Sequence, residues 1–188
     1  SLSLPVNGMG STVFGFGRNA DSGEDLTPVS ALQVSTVWAC VRIISESVGS
    51  LPCTLYERTA TGKQPAFSNP LYTLLADSPN DEQTAVTFWE LMATWLCLHG
   101  NAYCQIQRDG QGNAIALWPL QPELTTPVRL PDNSIGYRTT DGNQKMRLLA
   151  SRDTLHFLGI STTGLLGLSP IQAARQSIGL ARAAERYG

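Results

Sequence analysis

From Thr84 to Leu98 the chain carries Phe88, Trp89, Leu91, Met92, Trp95, Leu96 and Leu98, with Glu90 as the only charge. At helical spacing these side chains point in nearly every direction. The segment therefore predicts a helix covered on several sides, not a surface helix with one dry stripe. The run from Leu91 to Leu98 falls far short of the ~18–20 residues that span a bilayer, so the cover must be protein. Gly100 and Asn101 stop the helix. From Asn101 the period becomes two, with Ala102, Cys104 and Ile106 alternating against Tyr103, Gln105 and Gln107, which predicts a strand.

Around this pair the rest of the chain sorts into elements. Residues 1–28 read as a flexible N-terminal arm, rich in Gly, Ser, Asn and Asp, without the basic start and apolar region of a secretory signal. Thr27 and Pro28 announce a helix from Val29 to Gly49, with Val34, Val37, Val41, Ile44 and Val48 on one side and Arg42 and Glu46 on the other. A strand is expected over Leu51–Glu57, opening beside Pro52, then a polar loop over 58–68. Asn69-Pro70 and Ser78-Pro79-Asn80 bracket a short helix, LYTLLAD. Turn residues separate strands at Ala114–Trp118, Glu123–Leu130, Ile135–Thr140, Lys145–Leu149 and Thr154–Phe157, a small antiparallel or mixed sheet. Ser169 and Pro170 start a final helix. Helices and strands are segregated, so the class is α+β. That last helix reaches the chain end without capping chemistry, so the chain is expected to be a portion of a longer protein.

Charged residues make up 15% of the 188 positions, against roughly 25% in ordinary soluble chains. A surface so poor in charge is expected to be covered by other chains. The formal net charge of −2 argues against a free-standing nucleic-acid-binding module, which carries a positive excess. On the final helix, Arg182 and Arg186 lie at about −20° and +20° around the axis from Arg175, making one stripe. Ala173, Leu180, Ala184 and Tyr187 occupy the far side. Arginine suits bidentate pairing with carboxylate or phosphate, so the stripe is a candidate contact with a neighbouring subunit or a nucleic-acid backbone.

Catalytic patterns are sparse. Cys97, His99 and Cys104 are three soft ligands where a structural zinc needs four, so they are expected to be core residues and a helix-end histidine. Cys104 with His156 is the one candidate nucleophile pair and defines a runner-up reading, a Cys-dependent hydrolase. Asp81 and Glu82 are expected at a helix start, favouring its dipole. Gly8–Gly17 and Gly164–Gly167 lack the Lys-Ser/Thr of a phosphate-binding loop. No metal, cofactor or catalytic residue is expected, and the four cysteines are expected to be reduced.

The blocks SVGSLPCTLYER, HGNAYCQIQRDGQG and GLLGLSPIQAA, in this order, resemble portal proteins of long-tailed double-stranded DNA bacteriophages of the lambdoid-head type, over about residues 29–188. The resemblance implies a non-enzymatic virion protein. Such proteins form a dodecameric ring at one capsid vertex, through which DNA is packaged and later ejected. It implies a wing-like domain over 29–168 and the start of a stem helix over 169–188. The clip, second stem helix, tunnel loop and crown would follow. Implied partners are further copies of the chain, the major capsid protein, the terminase motor, the head–tail adaptor and passing duplex DNA, with no membrane, and assembly in the host cytoplasm. In such a ring Arg175, Arg182 and Arg186 would face the channel or a neighbouring subunit.

Overall fold

The structure, a computed structural model, describes residues 27–142 and 144–187; the expected arm lies outside them apart from Thr27 and Pro28. In chain order come helices α1 (Pro28–Ala31) and α2 (Ser35–Ser50), strands β1 (Tyr56–Thr59) and β2 (Gly62–Pro65), and helices α3 (Pro70–Ala76) and α4 (Ala85–His99). There follow β3 (Asn101–Arg108), β4 (Ala114–Leu120), β5 (Thr125–Arg129), β6 (Ile135–Thr140), β7 (Met146–Ala150) and β8 (Thr154–Leu158), then α5 (Pro170–Ala173) and α6 (Arg175–Tyr187). All strand pairs are antiparallel, in a β1-β2 hairpin and two three-stranded sheets, β4-β3-β8 and β5-β6-β7. Among the described residues no helix is long and apolar enough to cross a membrane.

Helix α4 is covered on two opposite sides. Phe88 and Met92, with Trp89, Trp95 and Leu96 beside them, pack on Ala102 and Cys104 of β3 and Leu117 of β4. Burial of each such side chain stabilises by roughly 1.5–3 kcal/mol. About half a turn away around the axis, Val86 and Glu90 meet α2. Thr84 caps the helix, its hydroxyl accepting from the Thr87 N–H at 3.3 Å. Asp81 and Glu82 precede this cap rather than sitting in the first turn, where there is no acidic residue. The Glu82 N–H is instead held by Asn80 Oδ1 at 3.0 Å.

The expected helix over 29–49 is two helices. The chain breaks at Leu32–Val34, where Val34 is extended (φ −79°, ψ 119°) and buried with Ala31, Leu98, Ile171 and Ile178. The bend puts both Ala31 and Val34 into this cluster. On α2 the buried positions are Val41, Ser45 and Gly49, whereas Ile44 and Val48 of the expected stripe are 49% and 40% exposed. Close approach decides the face. A Cβ on Gly49 would strike the Glu90 side chain and lie 3.0 Å from the Val86 carbonyl oxygen. Small residues four apart form the shallow groove that two helices need to pack this tightly. Ser45 is buried at no polar cost, because its hydroxyl donates to the Val41 carbonyl at 2.8 Å.

Two further expectations shift. The strand expected over Leu51–Glu57 starts only at Tyr56, since no other strand pairs with 51–55 and Pro52 has no N–H to offer. Its partner β2 lies within the stretch expected to be loop. The final helix is interrupted at Ala174 (φ −94°, ψ 12°), giving α5 and α6. The central strands fall where the period placed them. On β3 the period splits the neighbours: Ala102 and Cys104 face α4, while Tyr103 packs with Tyr137 and Leu149 of the β5-β6-β7 sheet. The layers therefore run α2, α4, β4-β3-β8, β5-β6-β7.

A substitution pair tests the α2–α4 contact. Gly49→Leu is expected to lose about 1–3 kcal/mol through overpacking, whereas Ile44→Ala is expected to stay within about 0.5 kcal/mol of the parent, as exposed positions do. Urea unfolding midpoints read both, and the reverse order would refute the packing described.

Candidate functional site

The candidate chemistry of the β3–β8 pair does not come together. Tyr103 lies opposite His156, and Cys104 opposite Leu155. Adjacent positions point to opposite faces of a sheet, so the Cys104 thiol and the His156 ring are on different sides. Cys104 is buried in the α4 cluster, and burial pushes its thiol up to about 12, the opposite of nucleophile activation. Cys97 is half-buried and its thiol is likewise raised by burial. Among the described residues no group of three or more His, Cys, Asp and Glu is arranged to hold a metal ion.

His156 belongs instead to a polar junction. Its ring stacks on Tyr103 with centroids 4.4 Å apart, and its Nε2 lies 3.0 Å from Asn101 Oδ1. Asn101 is buried at the start of β3. Its Oδ1 also accepts from the Gly167 N–H at 2.8 Å, and its Nδ2 donates to the carbonyls of Gly167 (3.0 Å) and His99 (3.1 Å). This pattern fixes the amide orientation and requires His156 to carry its proton on Nε2, leaving Nδ1 to face the Tyr137 hydroxyl at 3.4 Å. The backbones come very close here. Gly100 is left-handed (φ 71°), and a Cβ on it would strike the Leu168 carbonyl; a Cβ on Gly167 would strike the Gly100 carbonyl. The Gly159 N–H donates to that same Gly100 oxygen at 2.9 Å. Ser169 then donates to the Leu98 carbonyl at 2.6 Å while accepting from the Gln172 N–H at 3.2 Å, capping α5 and tying it to the end of α4. Sequence reasoning took Gly100 and Asn101 as a helix stop only. The signal it passed over was a glycine pair, Gly164 and Gly167, with no phosphate motif to explain it.

The structure describes Arg175 and Arg182 of the arginine stripe. Ile178 and Gly179 of α6 are buried, and at 100° per residue they flank Arg175 and Arg182. The side bearing these two arginines is therefore the one turned toward the rest of the chain. Leu180, on the far side, is 68% exposed. Nε and Nη1 of Arg175 are shielded from solvent without a hydrogen-bond partner, while Arg182 is half-buried and engaged. The Arg186 side chain lies outside the described residues. Near the end of α6, Glu185 Oε1 accepts from Ser35 Oγ (2.6 Å) and the Ser35 N–H (3.3 Å). It thereby supplies the acceptor that Val34 cannot offer at the start of α2.

Comparison with known proteins bears on the whole chain. A family model described as "Phage portal protein" matches residues 35–188. The chain is 39% identical over 156 residues to the portal protein of Enterobacteria phage HK97, covering 82% of this chain and 36% of that protein. It is 32% identical over 189 residues to the probable portal protein of Streptomyces phage phiC31, covering 94% and 40% respectively. It thus spans well under half the length of either relative. A chain in the solved neck of an empty GTA particle matches with a TM-score of 0.72 at 22% identity, over 85% of this chain and 45% of that one, a likeness of fold.

Two outcomes test the junction and the thiol. Burial holds the protonated forms of His99 and His156 below the ordinary 6.5, with Glu123 partly opposing the effect at His99. The folded chain therefore binds these protons less readily than the unfolded chain. Stability is expected to be full above about pH 6.5 and to fall as the pH drops below it. His156→Gln, which keeps an N–H for Asn101, is expected to flatten that fall between pH 7 and 5 in thermal melts; a parent melt independent of pH over this range would refute the sign. At pH 7 a thiol reagent is expected to modify exposed Cys40 in the folded chain and Cys104 only on unfolding, and rapid Cys104 labelling would revive the hydrolase reading.

Proposed function

Since the chain belongs to the phage portal protein family, we propose that it serves as part of a subunit of a portal ring, a structural virion component at one capsid vertex. The match to the HK97 portal protein, 39% over 156 residues, carries this reading. Residues 29–168 act as a wing-like domain, and 169–188 as the start of a stem helix. Twelve copies close around a channel wide enough for duplex DNA, which enters during packaging and leaves at ejection. The capsid protein, the terminase motor and a head–tail adaptor are the partners such a ring needs. Assembly takes place in the host cytoplasm, and no catalysis is assigned to the chain.

Physical observations support a role by assembly. Cys104 is absorbed in packing, and His156 and Asn101 in a saturated hydrogen-bond network. The charge of −2 suits a channel component, since DNA must slide past it and a strongly basic lining would hold the duplex. The same charge disfavours the runner-up, a nucleic-acid-binding module without ring assembly.

Negative-stain imaging of the protein at its natural length tests the reading. Annular particles with a central channel are the expected outcome. Lone globular particles, together with salt-dependent retention of DNA by the monomer, would replace it with the nucleic-acid-binding module.

A further inference from the structure

Among the described residues the layer order leaves two faces open, one at each end. At one end is the outer side of α2. Beside its buried Val41, Ser45 and Gly49, on the flank turned away from Arg42 and Glu46, it presents Ile43 (64% exposed), Ile44, Val48 and, just past its end, Leu51 (67%). No charge interrupts this stripe, for Arg42 and Glu46 lie to one side and pair with each other at 2.7 Å. At the other end is the outer side of the β5-β6-β7 sheet. Tyr137 and Leu149 point inward, so their neighbours Arg138 and Leu148, which lie opposite each other in the register, point outward together with Met146. Leu148 is 58% and Met146 65% exposed. Leu130 and Leu148 close over Gly136, which is buried, since a Cβ there would lie 3.3 Å from a methyl group of each.

We propose that these two faces are the halves of one head-to-tail contact, α2 of one copy seated on the outer β5-β6-β7 face of the next. The proposal rests on the portal-ring reading for its partner, a second copy of this chain. Charge complementarity selects how the faces meet. The last turn of α2 holds no basic residue, so its carbonyl end keeps the negative pole of the helix dipole. Arg138 is the charge at the centre of the sheet face, exposed, and it makes no ion pair or hydrogen bond among the described residues. A ridge of aliphatic side chains meets an aliphatic sheet surface, and a helix C-terminus meets a guanidinium. Two different faces on opposite ends of one subunit are what a heterologous contact requires. A self-complementary pair of α2 faces would instead stop at a dimer.

Native Cys40, exposed on the same outer side of α2, provides the probe. In the full-length protein, Leu148→Cys under mild oxidant is expected to give a ladder of disulfide-linked species beyond the dimer, and Cys40→Ser in that background is expected to abolish it. Ile43→Asp and Leu148→Asp, both at exposed positions, are each expected to lower the assembled fraction at least tenfold with an unchanged circular-dichroism melt. Mixed one to one, they are expected to form heterodimers through the one intact contact. Cys40–Cys40 dimers from the unsubstituted chain, absence of any Cys40-dependent ladder, or no pairing on mixing would each overturn the contact. Annular particles persisting with no ladder would remove this contact and leave the portal reading standing. Ladders on open filaments, without annuli, would do the reverse.

Discussion

The backbone meeting at Gly100 sets the relation between the helical and sheet parts of this chain. A left-handed glycine ends α4, the next residue begins β3, and the segment over 159–168 passes so near that neither Gly100 nor Gly167 has room for a side chain. Asn101 then binds both polar groups of the Gly167 peptide unit and His156 as well. Asn101 is buried and its partners are half-buried, so removing the amide would leave partly shielded donors and acceptors unpaired, at up to about 1–3 kcal/mol for each. Ser169 extends the tie by one more step, from the end of α4 to the cap of α5. The two sequence blocks HGNAYC and GLLGLSP, more than fifty residues apart, are thus the two sides of one contact. A resemblance carried by those blocks is a resemblance in how the terminal helices leave the sheet.

What could be read beforehand follows from which forces are local. The apolar girth of α4, the alternation along β3 and the helix starts at Thr27 and Ser169 are properties of short windows, and the structure places them as those windows require. The face of α2 was not legible in this way. Hydrophobicity favoured Ile44 and Val48, but α4 comes so close that only Ser45 and Gly49 fit between the helices. Packing distance overrode apolar area, and no single window contains both helices. The breaks at Val34 and Ala174 have the same origin, for Val34, Ile171 and Ile178 converge on one cluster that a straight helix on either side could not fill.

The arginine stripe shows where angular reasoning ends. The spacing of Arg175 and Arg182 on one side of α6 was legible, and α6 keeps it. Which way that side turns was not, because Ile178 shares it and Leu180 opposes it. The apolar residue that governs the rotation of the helix lies on the charged side. Arg175 is consequently held with two donors out of reach of water and of any protein acceptor, an arrangement that costs stability in the isolated chain. The chemistry-bearing pair of the sheet fails for a comparable reason. Cys104 and His156 are adjacent in register yet separated by the pleat, and period two alone places them on opposite sides once their strands are paired.

A stack whose layers are each satisfied on the inside still has two ends. In a monomeric protein those ends are normally the most polar surfaces, because nothing else covers them. Here the end helix shows an uncharged aliphatic stripe and the end sheet shows leucine and methionine around one arginine. A chain with 15% charged residues cannot spread enough charge to protect both. Under the proposed contact such ends stack repeatedly, and the angle between successive copies decides whether the stack closes or runs on as a filament. Under the proposed assembly the channel follows from that angle.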